Sequence, residues 1–253
     1  MSGTKRTILH FTRAPEAEAR AKRLPVEAGS RLFEAFLVGW RERAEQANAQ
    51  LLVAAPPQSL GTLRRLFPRT CVAAQEGPSF GARVENAFSL AFGRGAGSVL
   101  MVGGDSPPLD RAEVEAAFAH LESQERSLAL APAPDGGVNL IGFSAKAERQ
   151  LSHIAWLSAD VDRQLRDTAL GSGLALWVSP SSPDLDRARD LAELYRLSRF
   201  ESRWRIFRSL LRQALFAATP ILCRDHQPPR RVFIESPVTR GPPPALFPAP
   251  CSL

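Results

Sequence analysis

The sequence predicts an α/β fold in which one mixed, mostly parallel sheet is covered by helices on both faces. Short apolar runs that suit buried strands alternate at least five times with segments of helical periodicity. Polar or glycine-containing loops follow several of these strands. A late Asp-Gly-Gly turn between two apolar runs predicts a hairpin, and therefore one antiparallel strand.

The first half of the chain supplies three of these strands. Residues 7–11 predict the first strand, and the polar, basic residues 12–30 predict a loop. Apolar residues at helical spacing then indicate an amphipathic helix over 31–50. The elements that follow, in order, are a strand over 51–55, a short helix over 60–67, a strand over 71–74 and a helix that ends near Phe92.

The second half continues the alternation and contains the hairpin. Its predicted elements, in order, are a strand over 99–102, a helix over 110–124, strands over 127–131 and 138–143, a mostly helical segment over 145–170 that is interrupted near 153–158, a strand over 174–178 and a helix over 187–197. We therefore assign residues 1–197 to a single domain, which is long enough to bury a substantial core.

The C-terminal part of the chain is strongly basic. From Arg196 to the end, ten arginines face three acidic residues, a balance of +7 in a chain whose net charge is +6. Residues 198–218 predict a basic amphipathic helix that either docks on the domain, which we favour, or contacts an anionic membrane surface. The Pro- and Arg-rich residues 219–253 predict a disordered tail. The apolar face of the helix would consist of Phe200, Trp204, Phe207, Leu211 and Leu215.

Several classes of protein are disfavoured by the sequence. No apolar run approaches the roughly 20 residues of a membrane span, and nothing resembles a signal peptide. Three scattered cysteines predict neither a disulfide framework nor a zinc site. We therefore expect a cytoplasmic protein without a transmembrane segment. Nucleic-acid binding is not expected, because the basic tail lacks an aromatic platform or a known motif. The oligomeric state is not predicted.

A candidate metal ligand, Asp105, follows the most apolar predicted strand. The sequence VLMVGGDSPPL over 99–109 leads into two glycines, which permit a tight turn and the close approach of a ligand. Open α/β sheets bind ligands at the carboxyl ends of their strands. A carboxylate there suits Mg²⁺ or Mn²⁺, with phosphate oxygens completing the shell. The alternative is a strand and a turn without chemistry, followed by a helix that Asp110 caps.

Two further acidic residues, Asp184 and Asp186, follow the last predicted strand. Their i, i+2 spacing places both side chains on one face of an extended segment. The pair can therefore supply a second metal ligand. The alternative is that one of the two residues only caps the helix that follows.

Basic residues near the first and third strands are candidates for phosphate binding. The loop over 12–30 contains Arg13, Lys22 and Arg23, and Arg83 lies one turn into a later helix. Near the carboxyl ends of strands, such residues can compensate phosphate charge. The alternatives are a solvated loop for the first three and, for Arg83, an ion pair with a neighbouring glutamate.

Together these motifs resemble those of the GT-A-superfamily proteins known as selenodomain-associated transferases, relatives of the molybdenum-cofactor and phospholactate guanylyltransferases. The family pattern includes Gly-Thr-Asp-Ser-Pro-x-Leu, Pro-x-x-Asp-Gly-Gly-Tyr-x-Leu-Ile-Gly and Asp-x-Asp-Thr-x-x-Asp-Leu. The resemblance covers residues 6–197. The matching residues are Gln75, Gly81, Arg83, Asp105, Ser106, Pro107, Leu109, Asp135, Gly136, Gly137, Leu140, Ile141, Gly142, Trp156, Asp184, Asp186, Asp190 and Leu191.

The resemblance implies a GT-A fold and the transfer of a glycosyl or nucleotidyl group from a nucleotide-sugar or nucleoside triphosphate donor to a small acceptor. It implies Mg²⁺ or Mn²⁺ held by Asp105 and Asp186, with Asp184 as the alternative ligand. Asp135 would orient or deprotonate the acceptor, or serve only as a turn residue of the hairpin. The residues implied to bind the donor are Arg13, Arg23, Gln75, Gly81, Arg83 and Gly104.

The first motif departs from the family pattern. Where the pattern has Phe-Ala-Lys-x-Pro-x-Pro-Gly-x-x-Lys-Thr-Arg-Leu, this chain has Glu18 at the glycine and Ala21 at the second lysine. A carboxylate therefore stands where a phosphate would approach, and a phosphate-binding donor is lost, with Lys22 displaced by one residue. A non-catalytic GT-A-like scaffold that has lost nucleotide binding is thus the alternative function.

Overall fold

The computed structural model describes residues 5–225 except 148 and 150, and these contain one seven-stranded mixed sheet. Its strands are β1 (Arg6–Phe11), β2 (Gln50–Ala55), β3 (Cys71–Ala74), β4 (Ser98–Gly103), β5 (Ser127–Pro132), β6 (Val138–Ser144) and β7 (Ala175–Val178). Their order across the sheet is β3-β2-β1-β4-β6-β5-β7. All neighbouring pairs are parallel except those that β6 makes with β4 and β5. The predicted fold class and the predicted hairpin are both confirmed.

Helices cover both faces of the sheet, because side chains alternate along each strand and both faces are apolar. On one face Leu9 packs in a cluster with Phe88, and on the other Ile8 packs with Phe118; all four are fully buried. The helices are α1 (Pro15–Ala21), α2 (Val26–Gln46), α3 (Leu60–Leu66), α4 (Phe80–Gly93), α5 (Arg111–Ser123), α6 (Val161–Gly171), α7 (Asp190–Leu197), α8 (Ser202–Arg205) and α9 (Arg208–Asp225).

The segment over 12–30, predicted as a polar loop, instead contains α1 and the start of α2. Pro15 begins α1, where its fixed φ suits a helix. Ala19 is fully buried against Gly29 of α2, where an added Cβ would lie 2.9 Å from the Cβ of Ala19. The loop prediction is wrong because the buried face of α1 includes a carboxylate, Glu18, which polarity alone assigns to solvent.

The mostly helical segment predicted over 145–170 contains one helix, α6, in its second half. The described residues before α6 form turns that bury Leu151 and Ile154 in the same apolar cluster as α6. The prediction is wrong there because apolar residues three positions apart suit successive turns as well as a helix.

The helix predicted over 187–197 begins later, at Asp190. The carboxylate of Asp190 accepts the backbone N–H groups of Asp186 and Arg187 at 3.0 and 2.6 Å. These bonds hold the residues before α7 in a turn and satisfy donors that a helix would leave free. The alternative in which Asp184 or Asp186 caps this helix is therefore wrong.

The C-terminal helices dock on the domain through an apolar face, and α9 contacts α2 and α7. The predicted single helix over 198–218 is two helices, and α9 continues to Asp225, so the disorder predicted over 219–225 is corrected. Burial of Ala218 against the domain supports these last turns. Phe200, which the sequence assigns to the apolar face, is 74% exposed. The remaining predicted tail, residues 226–253, lies outside the described residues. The buried members of the face are Trp204, Phe207, Leu211, Ala214 and Ala218.

One glycine of α2 lies between the C-terminal helices and the residues that follow β4. A Cβ added at Gly39 would lie 2.5 Å from Pro108 and 3.4 Å from Phe207. Helix α2 therefore packs closely against both. Within the described part of the chain, none of the helices has the length and apolar character needed to span a membrane.

Candidate active site

A cleft of about 1020 Å³ opens at the carboxyl ends of the parallel strands. Open α/β sheets bind ligands at this edge, because the loops that follow the strands converge there. Every predicted site residue except Arg23 and Gly81 lines the cleft. The predicted residues that it brings together are Arg13, Gln75, Arg83, Gly104, Asp105, Asp135, Asp184 and Asp186.

Arg23 and Gly81 are not part of the cleft lining. Arg23 directly follows the last turn of α1 in the left-handed conformation, with a φ of 56°, and its side chain is exposed. Gly81 instead lies against Trp156, a residue that lines the cleft: an added Cβ would lie 2.9 Å from the indole Nε1. Gly81 thus shapes the cleft through its neighbour, whereas Arg23 does not border it.

The turn that carries Asp105 is held from two sides. Gly104 has no room for a side chain, because an added Cβ would overlap Oγ1 of Thr12. From α2, the indole N–H of Trp40 donates to the carbonyl oxygen of Ser106 at 2.8 Å. The backbone at Asp105 is therefore positioned by residues directly after β1 and in α2 that pack against the turn.

The segment over 182–186 has no regular secondary structure and lies beside that turn. The N–H of Leu185 donates to the carbonyl oxygen of Asp105 at 3.2 Å, and the Leu185 side chain is fully buried. Asp184 and Asp186 flank Leu185, and both line the cleft. This is the shared face that their i, i+2 spacing predicts.

Three carboxylates converge in the cleft. One oxygen from each of Asp135, Asp184 and Asp186 lies within 4.8 Å of the others. Burial, together with the nearby charges of Asp186, Asp105 and Asp135, raises the pKa of Asp184 to about 7. An all-oxygen set with too little compensating positive charge fits a hard divalent cation such as Mg²⁺ or Mn²⁺.

Asp135 has the turn role that the sequence gives as one alternative, and it also lies among the acidic residues of the cleft. Its Oδ1 accepts the N–H of Gly137 at 2.9 Å, which is the hydrogen bond of a turn residue. Its carboxylate also joins Asp184 and Asp186 in the cluster. The sequence pattern does not predict this second role, because the hairpin and the segment after β7 meet only in the folded sheet.

Lys22 is a site residue whose partners the sequence does not predict. Its ammonium group forms ion pairs with Asp105 and with Asp186, and its side chain is 15% exposed. Burial by itself lowers the pKa of Lys22, but the charges and hydrogen bonds of the two carboxylates outweigh burial and raise the pKa above its ordinary value. The lysine therefore stays charged and ties together two loops that are far apart in the chain.

Glu18 and Arg13 form a second ion pair at the same side of the cleft. The Glu18 carboxylate accepts the backbone N–H of Arg13 at 3.1 Å and its guanidinium N–H at 3.0 Å. Burial and the charge of Asp105 raise the pKa of Glu18, while Arg13 opposes the shift. The positive charge of Arg13, which the sequence assigns to phosphate, is thus already opposed by Glu18.

Two further predicted residues line the cleft and differ in their hydrogen bonding. The side-chain amide of Gln75 donates to the carbonyl oxygen of Ala54 at 3.0 Å, which fixes it beside the end of β2. The Nε of Arg83 is buried and has no hydrogen-bond partner among the described residues. Arg83 therefore brings to the cleft a cationic group with unused hydrogen-bonding capacity.

Asn139 of β6 is a cleft residue that the sequence pattern does not single out. It is 1% exposed, and its side-chain N–H donates to the carbonyl oxygen of Ser182, which anchors the start of the 182–186 segment. Its Oδ1 has no hydrogen-bond partner among residues 5–225 as described. A buried asparagine is expected to satisfy both ends of its amide, so the free oxygen is available to a ligand.

Comparisons with known proteins agree with this architecture. Residues 40–158 match the family described as "Uncharacterized protein conserved in bacteria (DUF2064)". The crystal structure of a candidate nucleotide-diphospho-sugar transferase from Desulfovibrio desulfuricans G20 is 26% identical and superposes with a TM-score of 0.71, covering 84% of this chain and 99% of that one. No protein with a curated functional description matches the sequence.

Two solved structures of lower identity have the same fold. A cytidylyltransferase from Leptospira borgpetersenii is 11% identical, with a TM-score of 0.51 and coverage of 85% of this chain and 97% of that one. CMP:2-keto-3-deoxy-manno-octonic acid synthetase in complex with CTP is 12% identical, with a TM-score of 0.51 and coverage of 78% and 99%. The chain thus has the fold of nucleotide-diphospho-sugar transferases and nucleotidyltransferases, and the resemblance drawn from its motifs is confirmed.

Proposed function

We propose that this chain, which has the nucleotide-diphospho-sugar transferase fold, is a divalent-metal-dependent transferase. Its donor is a nucleotide-sugar or a nucleoside triphosphate, and it transfers a glycosyl or nucleotidyl group to a small acceptor. The observation that carries the proposal is the convergence of Asp135, Asp184 and Asp186 in a large cleft at the carboxyl edge of the sheet.

The balance of charge in the cleft supports a metal requirement. Seven carboxylates line the cleft, against five cationic side chains. Three of these five cations, Arg13, Lys22 and Arg189, are already paired with carboxylates. A donor that carries phosphates needs further positive charge, and a divalent cation supplies it.

Asp184 and Asp186 would hold the metal, with Asp135 beside them. When bound, Mg²⁺ or Mn²⁺ supplies neutralisation of the charge that develops on the phosphate of the leaving group. Arg83, with its unused N–H group, would contact the donor's phosphates or base. Asp135 is exposed at the rim, where it would orient or deprotonate the acceptor hydroxyl.

A non-catalytic scaffold is the second candidate, and the α1 segment favours it. Glu18 stands where the related pattern has a glycine, and it opposes the charge of Arg13. A carboxylate in that place disfavours an incoming phosphate. In this alternative the fold is kept and the donor is not bound.

Calorimetric titration with a panel of nucleotides and nucleotide-sugars, with and without Mn²⁺, decides between the two. We expect at least one compound to bind only with Mn²⁺, and Asp186→Asn to weaken that binding by about tenfold or more. The matched control is Asp167→Asn, the same change on an exposed turn of α6, which should leave the affinity unchanged. Absence of binding across the panel by a folded protein contradicts the proposal and supports the scaffold.

A further inference from the structure

The side chain of Lys22 is placed between two carboxylates by the way α1 ends. The N–H of Lys22 donates to the carbonyl oxygen of Glu18 at 2.9 Å, and the chain then reverses through the left-handed conformation of Arg23. Leu24, which follows, is 4% exposed and packs into the core. The last turn of the helix is thus anchored on both sides, and the ammonium group reaches Asp105 and Asp186 from a fixed backbone position.

The two carboxylates that pair with Lys22 belong to different loops. Asp105 follows β4, and Asp186 lies in the segment after β7. One cation between oxygens of two loops is the arrangement in which proteins hold a bound ion. Here a side chain of the protein supplies that cation, and it is compact and singly charged.

The two carboxylates that lie beside Asp186 are not paired in this way. Neither Asp135 nor Asp184 forms an ion pair with a lysine or arginine in the described ranges, yet both lie beside Asp186. Asp186 is therefore shared: one side faces Lys22 and the other faces an acidic group without a cation. The cluster has two cation positions, and only one of them is filled by the chain.

We infer that Lys22 fills the cation position between Asp105 and Asp186, so that a divalent metal binds only at the neighbouring position formed by Asp184 and Asp186, beside Asp135. This inference rests on the proposed function and refines it, because it removes Asp105 from the metal ligands and assigns it to Lys22. The ammonium group of Lys22 therefore provides one of the two cations of the site.

Titration of the full chain with Mn²⁺ in the absence of any nucleotide tests this directly, with free Mn²⁺ followed by electron paramagnetic resonance. Wild type is expected to bind one Mn²⁺, and Asp105→Asn is expected to leave that affinity within about twofold. Lys22→Met, which keeps the length of the side chain and removes the charge, is expected to bind a second Mn²⁺ or to bind Mn²⁺ about tenfold more tightly. Combining Lys22→Met with Asp105→Asn should return binding to the wild-type pattern.

Two controls separate loss of the filled position from a general change of charge or fold. Arg23→Met removes the neighbouring positive charge, which is exposed outside the cleft, and should leave Mn²⁺ binding unchanged. Lys22→Arg keeps a cation in place and should behave as wild type, and thermal unfolding of every variant checks that it is folded.

Three results overturn the inference. Loss of Mn²⁺ binding in Asp105→Asn would make Asp105 a metal ligand, and equal binding by Lys22→Met and Arg23→Met would mean that no position had been vacated. A wild-type protein that binds no Mn²⁺ overturns the assignment of the metal to the second position. Failure of the proposed function looks different, because it appears as absence of donor binding whatever the pattern of Mn²⁺ binding.

Discussion

Two adjoining segments line one side of the cleft, and they are built in different ways. The acidic wall, residues 103–105 and 182–186, is positioned by backbone hydrogen bonds and by a glycine without room for a side chain. In the α1 wall, residues 13–22, the charged side chains at the cleft are held by ion pairs with glutamate and aspartate. The acidic wall is therefore fixed by its backbone, whereas positive charges of the α1 wall are already paired.

The difference indicates which part of the cleft can rearrange when a ligand binds. Backbone contacts stay the same when a ligand enters, so the acidic wall keeps its geometry. The ion pair between Arg13 and Glu18 can be exchanged for contacts with a ligand, so this part of the α1 wall is adjustable. Variants that disturb one wall and not the other test this division.

Gly104→Ala breaks the acidic wall and has the largest expected effect. The new Cβ would overlap Thr12 and lie 2.9 Å from the Glu18 carboxylate, so the turn has to move. We expect a loss of about 3 kcal/mol in the free energy of unfolding, measured by urea denaturation. Gly171→Ala is the matched control, because a Cβ there meets nothing within 4 Å and should change stability by less than about 1 kcal/mol. Equal behaviour of the two variants would show that the turn is not constrained.

His10 of β1 is fully buried, and its titration is expected to have an effect of intermediate size on stability. Burial lowers the pKa of its imidazole to about 3, against a weaker opposing influence of the Gly103 backbone. The unfolded chain, with a histidine pKa near 6.5, binds the extra proton first, so stability is retained above about pH 6.5 and falls as the pH drops below it.

We expect the slope of this loss to approach about 1.4 kcal/mol per pH unit between about pH 6 and pH 4. Urea denaturation at several pH values measures it, and His10→Gln should reduce the slope in that range. The same slope in the variant and in wild type would mean that other groups account for the acid sensitivity.

Glu18→Gln is expected to have the smallest effect of these variants. It changes the charge of the α1 wall and keeps one side-chain oxygen that can accept hydrogen bonds. The change removes one buried negative charge and releases Arg13 from an ion pair. Affinity for an anionic donor, measured by calorimetry, is expected to rise about threefold. Glu16→Gln, on the exposed side of the same helix, should have no effect. Weaker donor binding by Glu18→Gln would show that the Glu18–Arg13 pair serves binding.

The acidic wall was the part of the site that sequence could predict, and the reason is local. Asp105 follows a buried strand directly, and the spacing of Asp184 and Asp186 alone places them on one face of an extended segment. Both inferences need only a few neighbouring residues. The hairpin and the order of most elements follow in the same way, from apolar periodicity and turn residues.

The α1 wall could not be predicted, because its structure depends on distant partners. Glu18 and Lys22 are polar residues in a polar segment, and only contacts with the ends of β1, β4 and the 182–186 segment bury them. A short stretch of the sequence does not reveal contacts with residues that are distant in the chain. The same limit explains why Asp135 is predicted to orient the acceptor or to serve as a turn residue, whereas its place in the carboxylate cluster is not predicted.

The close packing at Gly39 has a consequence for how this protein can change over generations. Helix α2 touches Pro108, three residues beyond Asp105, on one side and Phe207 of the C-terminal region on the other. Any larger residue at Gly39 would have to be accommodated by both neighbours at once. The C-terminal helices lie beyond the motifs that resemble the transferase family, yet they and the turn that carries Asp105 share one mutational constraint. They are therefore expected to be inherited together, and a chain shortened to residue 197 would lose more than an appendage.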